Sequence, residues 1–304
     1  MASALRPEPP QRLARALGAG HPWLAGLPAL ADEVLGRWEL TAERTVLPGG
    51  RDSVVLLVRR GDGTPAALKL CAPASASGTQ GAAVEAAALT HWDGLGAVRL
   101  LRADPAAGAL LLERLHGEVS LRSLPEAKAT LEAVSAVRRL WVPPEPGHPF
   151  TTVAAHTAEE VADVLERAPR AVRPLVDAAL AVRGELLADA VDGVLLHGDF
   201  RQGAVLASDA ERAPWLAVGP EPLVGEPAFD LARLARDRLH DLVASAGAAA
   251  AARRRVHKLA GSLDVDADRL RGWTLYRAVE SGVRHVLTGR QQDGELLLEY
   301  AAWL

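Results

Sequence analysis

The feature that most constrains this chain is a change in hydrophobic period along it. From Ser53 the run "SVVLLVRR" is followed by the turn letters "GDG" and then by "TPAALKLCA". Residues alternating with period two around a glycine-bearing turn predict an antiparallel hairpin. A second pair, "AVRLLRAD" and "ALLLERL", flanks Pro105 to Gly108 in the same way, and the Ala-rich stretch Ala82 to Trp92 between the two hairpins predicts a helix. Upstream, Arg12 to Trp38 carries apolar residues at helical spacing, with breaks expected at Gly20 to Pro22 and near Pro28. The Pro-rich opening "MASALRPEPPQ" reads as loose chain.

After "HGEVSL" the pattern turns helical. Helices are predicted over Glu126 to Leu140, from Thr157 onward, where Thr157 and Glu160 have capping-box spacing, and over Arg170 to Asp189. The strand-like "GVLLHGD" interrupts them, and helices resume after "PWLAVGPEPLVGEP". The low-complexity run "GAAAAARRRV" reads as an exposed helix end. The expected fold class is therefore α+β, with a sheet-rich domain over 1–115 and a helical domain over 116–304. A cleft between two such lobes is a common place for a ligand.

Composition narrows the function classes. With 304 residues, 49% of them hydrophobic, the chain can bury one large core or two smaller ones. Its net charge of −4 is spread through the sequence, with no basic block to track a phosphate backbone, which argues against a nucleic-acid partner. Cys71 is the only cysteine, so neither an internal disulfide framework nor a cysteine zinc cluster is expected. No secretory segment follows Met1 and no apolar run reaches bilayer length, so the expectation is a cytoplasmic protein without a membrane partner.

Lys69, Lys128 and Lys258 are the only lysines, which makes the setting of each informative. Alternation in "AALKLCA" puts Lys69 among apolar neighbours, where an ammonium needs a partner, and Glu85 on the following helix is the candidate. An edge-strand lysine reaching water is the plain alternative. The order decides between them: a turn holding Gly49 and Gly50, then a strand lysine, then a helix glutamate. Phosphate-binding lobes of protein-kinase-like enzymes use this series, the lysine meeting phosphates and the glutamate fixing the lysine.

Together with "EAAALTHWDGLGAVRLLRADPAAGALLLERL", "VLLHGDFRQGAVL", "PWLAVGPEPLVGEPAFDLARL" and "DRLRGWTLYRAVES", these residues make the chain resemble the aminoglycoside phosphotransferase family, in its streptomycin 6-kinase-like (aminoglycoside/hydroxyurea kinase) branch. The resemblance spans about residue 38 to residue 286. It implies a protein-kinase-like two-lobed fold, with an antiparallel-sheet N-lobe and a mainly helical C-lobe. It also implies ATP as the nucleotide and a hinge near Glu113 to Leu115 whose backbone meets adenine. Asp199 in "HGD" matches the family's catalytic aspartate, which orients the acceptor hydroxyl and takes its proton. His197 is expected as a structural loop residue, and Asp230 as the aspartate supporting that loop or as a helix N-terminal acid. The acceptor implied is a small molecule such as a cationic aminoglycoside.

The sequence departs from the family pattern where magnesium is held. The asparagine expected after the catalytic aspartate is Ala204, and the second ligand, an aspartate, is Gly219. Neither residue offers the side-chain oxygen that magnesium requires. Arg201 stands where the family has histidine, and Glu221 where it has lysine. Glu221 and Glu226 are the acids available to rebuild a metal site, and Arg201 is available to replace part of its charge. Two readings follow: an ATP-dependent phosphotransferase whose catalysis is weakened or lost, or a non-catalytic pseudokinase that binds a nucleotide or another small ligand. A third, in which His197 and Asp199 ligate a hydrolase metal, ranks last because the other histidines lack ligand spacing.

Overall fold

The computed structural model describes residues 9–73, 81–189, 193–244 and 246–304; the opening residues 1–8 of the Pro-rich segment lie outside that set. The chain divides into two compact units. The first comprises residues 1–120 and 206–221, and the second 121–205 and 222–304.

The first unit is built on five antiparallel strands: β1 (Thr41–Thr45), β2 (Ser53–Arg59), β3 (Pro65–Cys71), β4 (Leu100–Asp104) and β5 (Ala109–Glu113), in the order β1-β2-β3-β5-β4. Both hairpins read from the sequence are present. On one face of the sheet, Val54, Leu56, Val58, Ala66, Leu68 and Leu70 pack with Leu13 of α1 (Gln11–Leu17) and with Leu24, Leu27, Ala31 and Val34 of α2 (Pro22–Arg37). Burying such side chains contributes roughly 1.5–3 kcal/mol each. That burial accounts for a departure from expectation: α2 runs straight through Pro28 rather than breaking there. The proline forfeits one helical hydrogen bond, but the apolar face on either side of it is held by the sheet.

Between β3 and β4 lies α3 (Gly81–Trp92), with Ala82, Glu85, Ala86, Ala88, Leu89 and Trp92 buried. A second, three-stranded sheet completes this unit: β6 (His116–Ser120) pairs antiparallel with β9 (Val205–Ala207), which neighbours β10 (Trp215–Ala217). Residues 206–221, which the period change alone assigns to the helical part, thus belong with the sheet-rich unit.

The second unit is mainly helical. It holds α4 (Glu126–Leu140), α5 (Val153–Asp163), α6 (Arg173–Ala188), α7 (Pro227–Ala235), α8 (Leu239–Val243), α9 (Ala248–Leu263), α10 (Ala267–Leu287) and α11 (Gln291–Ala302). The long α10 is its axis, packing on α6, α7, α9 and α11 through buried residues that include Trp273 and Tyr276. Three short strands, β7 (Thr151–Thr152), β11 (Leu223–Gly225) and β8 (Val194–Leu196), form a small sheet with β11 in the middle. The capping box expected at Thr157 is absent. Thr157 lies inside α5, its hydroxyl donating to the Val153 carbonyl and accepting from Arg183, while Thr152 caps the helix by accepting from the Ala155 N–H. No helix among the described residues is long and apolar enough to cross a membrane.

Candidate functional site

In the first unit, β3 is the central strand of its sheet, so Lys69 is not an edge residue reaching water. Its apolar neighbours Ala66, Leu68 and Leu70 face α1 and α2, which leaves Lys69 and Cys71 on the opposite face, toward α3. There the Lys69 ammonium donates to Glu85 Oε2 at 2.6 Å, and the two side chains are only 10% and 7% exposed. Burial disfavours the charged ammonium, but the adjacent Glu85 carboxylate outweighs it and holds the Lys69 pKa above its ordinary value. Cys71 Sγ lies 4.0 Å from the same Glu85 oxygen, and burial pushes its thiol up to about 12. Glu85 Oε1 is buried and makes no hydrogen bond. A paired ammonium beside a carboxylate oxygen with no partner is an arrangement able to hold a phosphate oxygen or a further donor.

The other first-unit candidates are dispersed around this pair. Gly49 and Gly50 lie in the loop joining β1 to β2, and Gly49 has a φ of +76°. A Cβ there would sit 2.7 Å from two atoms of the Pro10 ring, so only glycine lets the loop pass. Glu113 ends β5 and accepts from the Arg99 N–H at 2.6 Å and from the Arg212 guanidinium. The Leu115 carbonyl accepts from the Gly117 N–H. Gly219 has a φ of +64°, with no atom within 4 Å of a would-be Cβ, and Glu221 is exposed nearby in the chain.

In the second unit, the loop after β8 is held by one face of α7 and its extension. Asp230, Arg233 and Asp237 are spaced i, i+3 and i+7, which places them on a common side of the helix. Asp230 is fully buried and accepts from the backbone N–H groups of His197 at 2.8 Å and Gly198 at 2.7 Å, with Trp141 Nε1 as a third donor at 3.4 Å. Burial pushes its carboxyl above its ordinary value against the pull of these donors. At the far end of the loop, Asp237 accepts from the Gln202 N–H at 2.5 Å, and Arg238 Nε donates to Gln202 Oε1 at 2.8 Å. His197 itself is buried, with its ring edge-on to Phe200. The loop is therefore positioned by backbone bonds at both ends.

Asp199 stands between these anchors, and both of its carboxylate oxygens are taken. Arg201 Nε donates to Oδ2 and Arg233 Nε to Oδ1, each at 2.9 Å. Burial alone would raise the Asp199 pKa, but the charges of Arg233 and Arg201 overcome it and hold the carboxyl well below the usual carboxylate range. Sequence reasoning singled out Arg201 but missed Arg233, whose only signal is its i+3 spacing from Asp230.

The two positions at which the resemblance implies magnesium ligands carry no donor for that ion. Ala204 is buried and Gly219 has no side chain, so neither supplies an oxygen. Of the acids available to replace them, Glu226 is committed elsewhere. It accepts from Arg269 through both oxygens and from Trp273 Nε1, all at 2.6 Å. Among the described residues no group of three or more His, Cys, Asp or Glu side chains converges as a metal cage.

A family model for aminoglycoside/hydroxyurea antibiotic resistance kinases matches residues 37–289. The chain belongs to that family. The streptomycin 6-kinase of Streptomyces glaucescens is 37% identical over 300 residues, spanning 95% of this chain and 91% of that one. The hydroxyurea phosphotransferase of Kitasatospora aureofaciens is also 37% identical, over 293 residues, spanning 92% and 78%. Among solved structures, a thermostable mutant of aminoglycoside phosphotransferase APH(4)-Ia, in ternary complex with ADP and hygromycin B, superposes with a TM-score of 0.62 at 17% identity, covering 89% of this chain and 96% of that one. At that identity the likeness speaks for the fold. The α+β class read from the sequence, an antiparallel sheet followed by a helical part, is the class of this family.

Proposed function

We propose that this member of the family has kept a site for a nucleotide or another small phosphate-bearing ligand, while phosphate transfer is weak or lost. The observation that carries this reading is the state of Asp199. A general base must aim a lone pair at the acceptor hydroxyl and be basic enough to take its proton. Here each oxygen is engaged by a guanidinium, and the same guanidiniums make the carboxylate less basic. The loss of magnesium donors at Ala204 and Gly219 points the same way. A bound metal supplies several kcal/mol of charge neutralisation in phosphoryl transfer, and each 1.4 kcal/mol or so is about tenfold in rate. Retention of the Lys69–Glu85 pair supports continued binding of a phosphate-bearing ligand.

A second reading, an active ATP-dependent phosphotransferase on a hydroxyl of an aminoglycoside-like molecule, is favoured by that same intact pair and by the family's kinases. A multiple-turnover assay with ATP, magnesium and streptomycin or hydroxyurea separates the two. The expected result is no turnover, with calorimetric ATP binding that is magnesium-independent and lost in Lys69→Ala. Turnover abolished by Asp199→Ala overturns the proposal.

A further inference from the structure

The surroundings of Asp199 have the wrong sign for a cation. Besides Arg201 and Arg233, two more guanidiniums gather here. Arg277 lies 4.4 Å over the Phe229 ring and donates to the Gly198 carbonyl at 2.8 Å and the Phe229 carbonyl at 3.1 Å. Arg236 donates through Nη1 to the Arg277 carbonyl at 2.8 Å, yet its Nε is buried and makes no hydrogen bond. Burial, and then the neighbouring charges of Arg233 and Arg277, bring the Arg236 pKa down to about 9. At neutral pH it nevertheless remains protonated. The local carboxylates are already engaged: Asp199 by two arginines, Asp230 by two backbone N–H groups, and Asp237 by Gln202 and, at 3.7 Å, by Arg233. Four guanidiniums thus gather near this loop; Glu280, which offsets part of the Arg236 charge, is itself paired with Arg284, and at Asp199 the positive charges of Arg233, Arg201 and Arg277 prevail over burial.

Solvent reaches this charge. The side chains of Asp199, Arg201 and Arg233 are 26%, 34% and 24% exposed. A guanidinium presents a planar fork of donors that matches phosphate oxygens, and charge-assisted bonds of this kind are about twice as strong as neutral ones. We propose that this arginine cluster is an anion site that takes a phosphate group without a divalent cation, Asp199 being the internal anion that the ligand displaces from Arg201 and Arg233. The inference rests on the reading that transfer is weak or lost, and it names the ligand class of the site: a metal-free phosphate-bearing small molecule. Arginine charge takes the place of the metal whose donors Ala204 and Gly219 lack.

The sign of one substitution tests this. Removing the Asp199 charge weakens a metal–phosphate site but strengthens an anion site in which Asp199 is the competitor. The full-length protein is titrated calorimetrically with inorganic pyrophosphate and with ATP, both in chelator. Pyrophosphate is expected to bind without metal, about tenfold tighter in Asp199→Asn and at least about tenfold weaker in Arg201→Gln, each tenfold being about 1.4 kcal/mol. Excess magnesium is expected to weaken binding by neutralising the ligand. Binding of pyrophosphate alone identifies a free inorganic anion, and binding of ATP as well identifies a phosphate ester. Absence of metal-free binding, weaker binding by Asp199→Asn, or no change in Arg201→Gln overturns the inference. The turnover assay is read separately, so phosphate transfer sinks the functional reading, while metal-free ATP binding that is lost in Lys69→Ala but unchanged in Arg201→Gln and no tighter in Asp199→Asn sinks only this one.

Discussion

Two ion clusters, one in each unit, show how differently charge can be handled within one fold. At Lys69 and Glu85 a single ammonium meets a single carboxylate in a buried place, and the carboxylate keeps one oxygen without a hydrogen bond. At Asp199 two guanidiniums meet one carboxylate in a partly open place, and no carboxylate oxygen is left over. The first cluster sets one positive charge against one negative and leaves an acceptor oxygen; the second sets two positive charges on one carboxylate, each of whose oxygens already accepts a guanidinium bond. The letters "HGD" alone therefore do not fix the chemistry of Asp199, because a carboxylate's chemistry is set by its partners.

The largest effect comes from breaking the balanced pair. Lys69→Met leaves Glu85 buried and uncompensated, and is expected to lower unfolding free energy by about 3–5 kcal/mol in urea titration. The companion double variant, Lys69→Met with Glu85→Leu, is expected to recover most of that loss, since an apolar pair carries no desolvation cost. A double variant as unstable as the single one means that the pair does not behave as a balanced unit.

A smaller effect is expected where the second cluster is anchored. Asp230→Asn keeps one acceptor oxygen for two buried N–H donors, and each donor left unsatisfied costs about 1–3 kcal/mol. Because the Asp199 loop hangs from these bonds, amide exchange at His197 and Gly198 is expected to accelerate together with the loss of stability. Unchanged exchange at both positions removes Asp230 as the loop's anchor.

The smallest effect is in pH dependence. The folded-state pKa of Asp199 is depressed by Arg233 and Arg201, against the opposing effect of burial. Its pairs therefore stabilise the fold above the unfolded-state value of about 3.9, and that contribution fades as pH falls toward the lower folded-state value. In Asp199→Asn the fall in Tm below about pH 4 is expected to be shallower than in the parent. Parallel Tm curves mean that the two guanidiniums do not hold the carboxylate as the geometry indicates.

Much of this was legible in the residues, and the exceptions share a cause. Strands β2 and β3 announce themselves by alternation around "GDG", α4 by its 3.6-residue period, and the Lys69–Glu85 pair by chain order, all local signals. Thr157 and Pro28 misled because tertiary burial overrode local chemistry: Thr157 is buried within α5, and the α2 face around Pro28 is held against the sheet. Arg233, Arg236 and Arg277 were invisible for a different reason. Arg233 and Arg277 meet the Asp199 loop across 34 and 79 residues of chain, and Arg236 reaches the Arg277 carbonyl across 41; nothing in a run of arginines states which carboxylate or carbonyl it will find.

The membership of residues 206–221 in the sheet-rich unit bears on how the chain is made. β9, the partner strand of β6, and β10 beyond it in the sheet lie past a stretch that folds into the other unit. A ribosome delivers the chain in order, so the nascent first unit must wait for roughly a hundred further residues before its second sheet can close. Until then, the backbone groups of β6 that will pair with β9 need water or a chaperone to satisfy them. The two units are consequently interleaved in time as well as in sequence, and a fragment ending at residue 120 is an unfinished unit rather than an isolated domain.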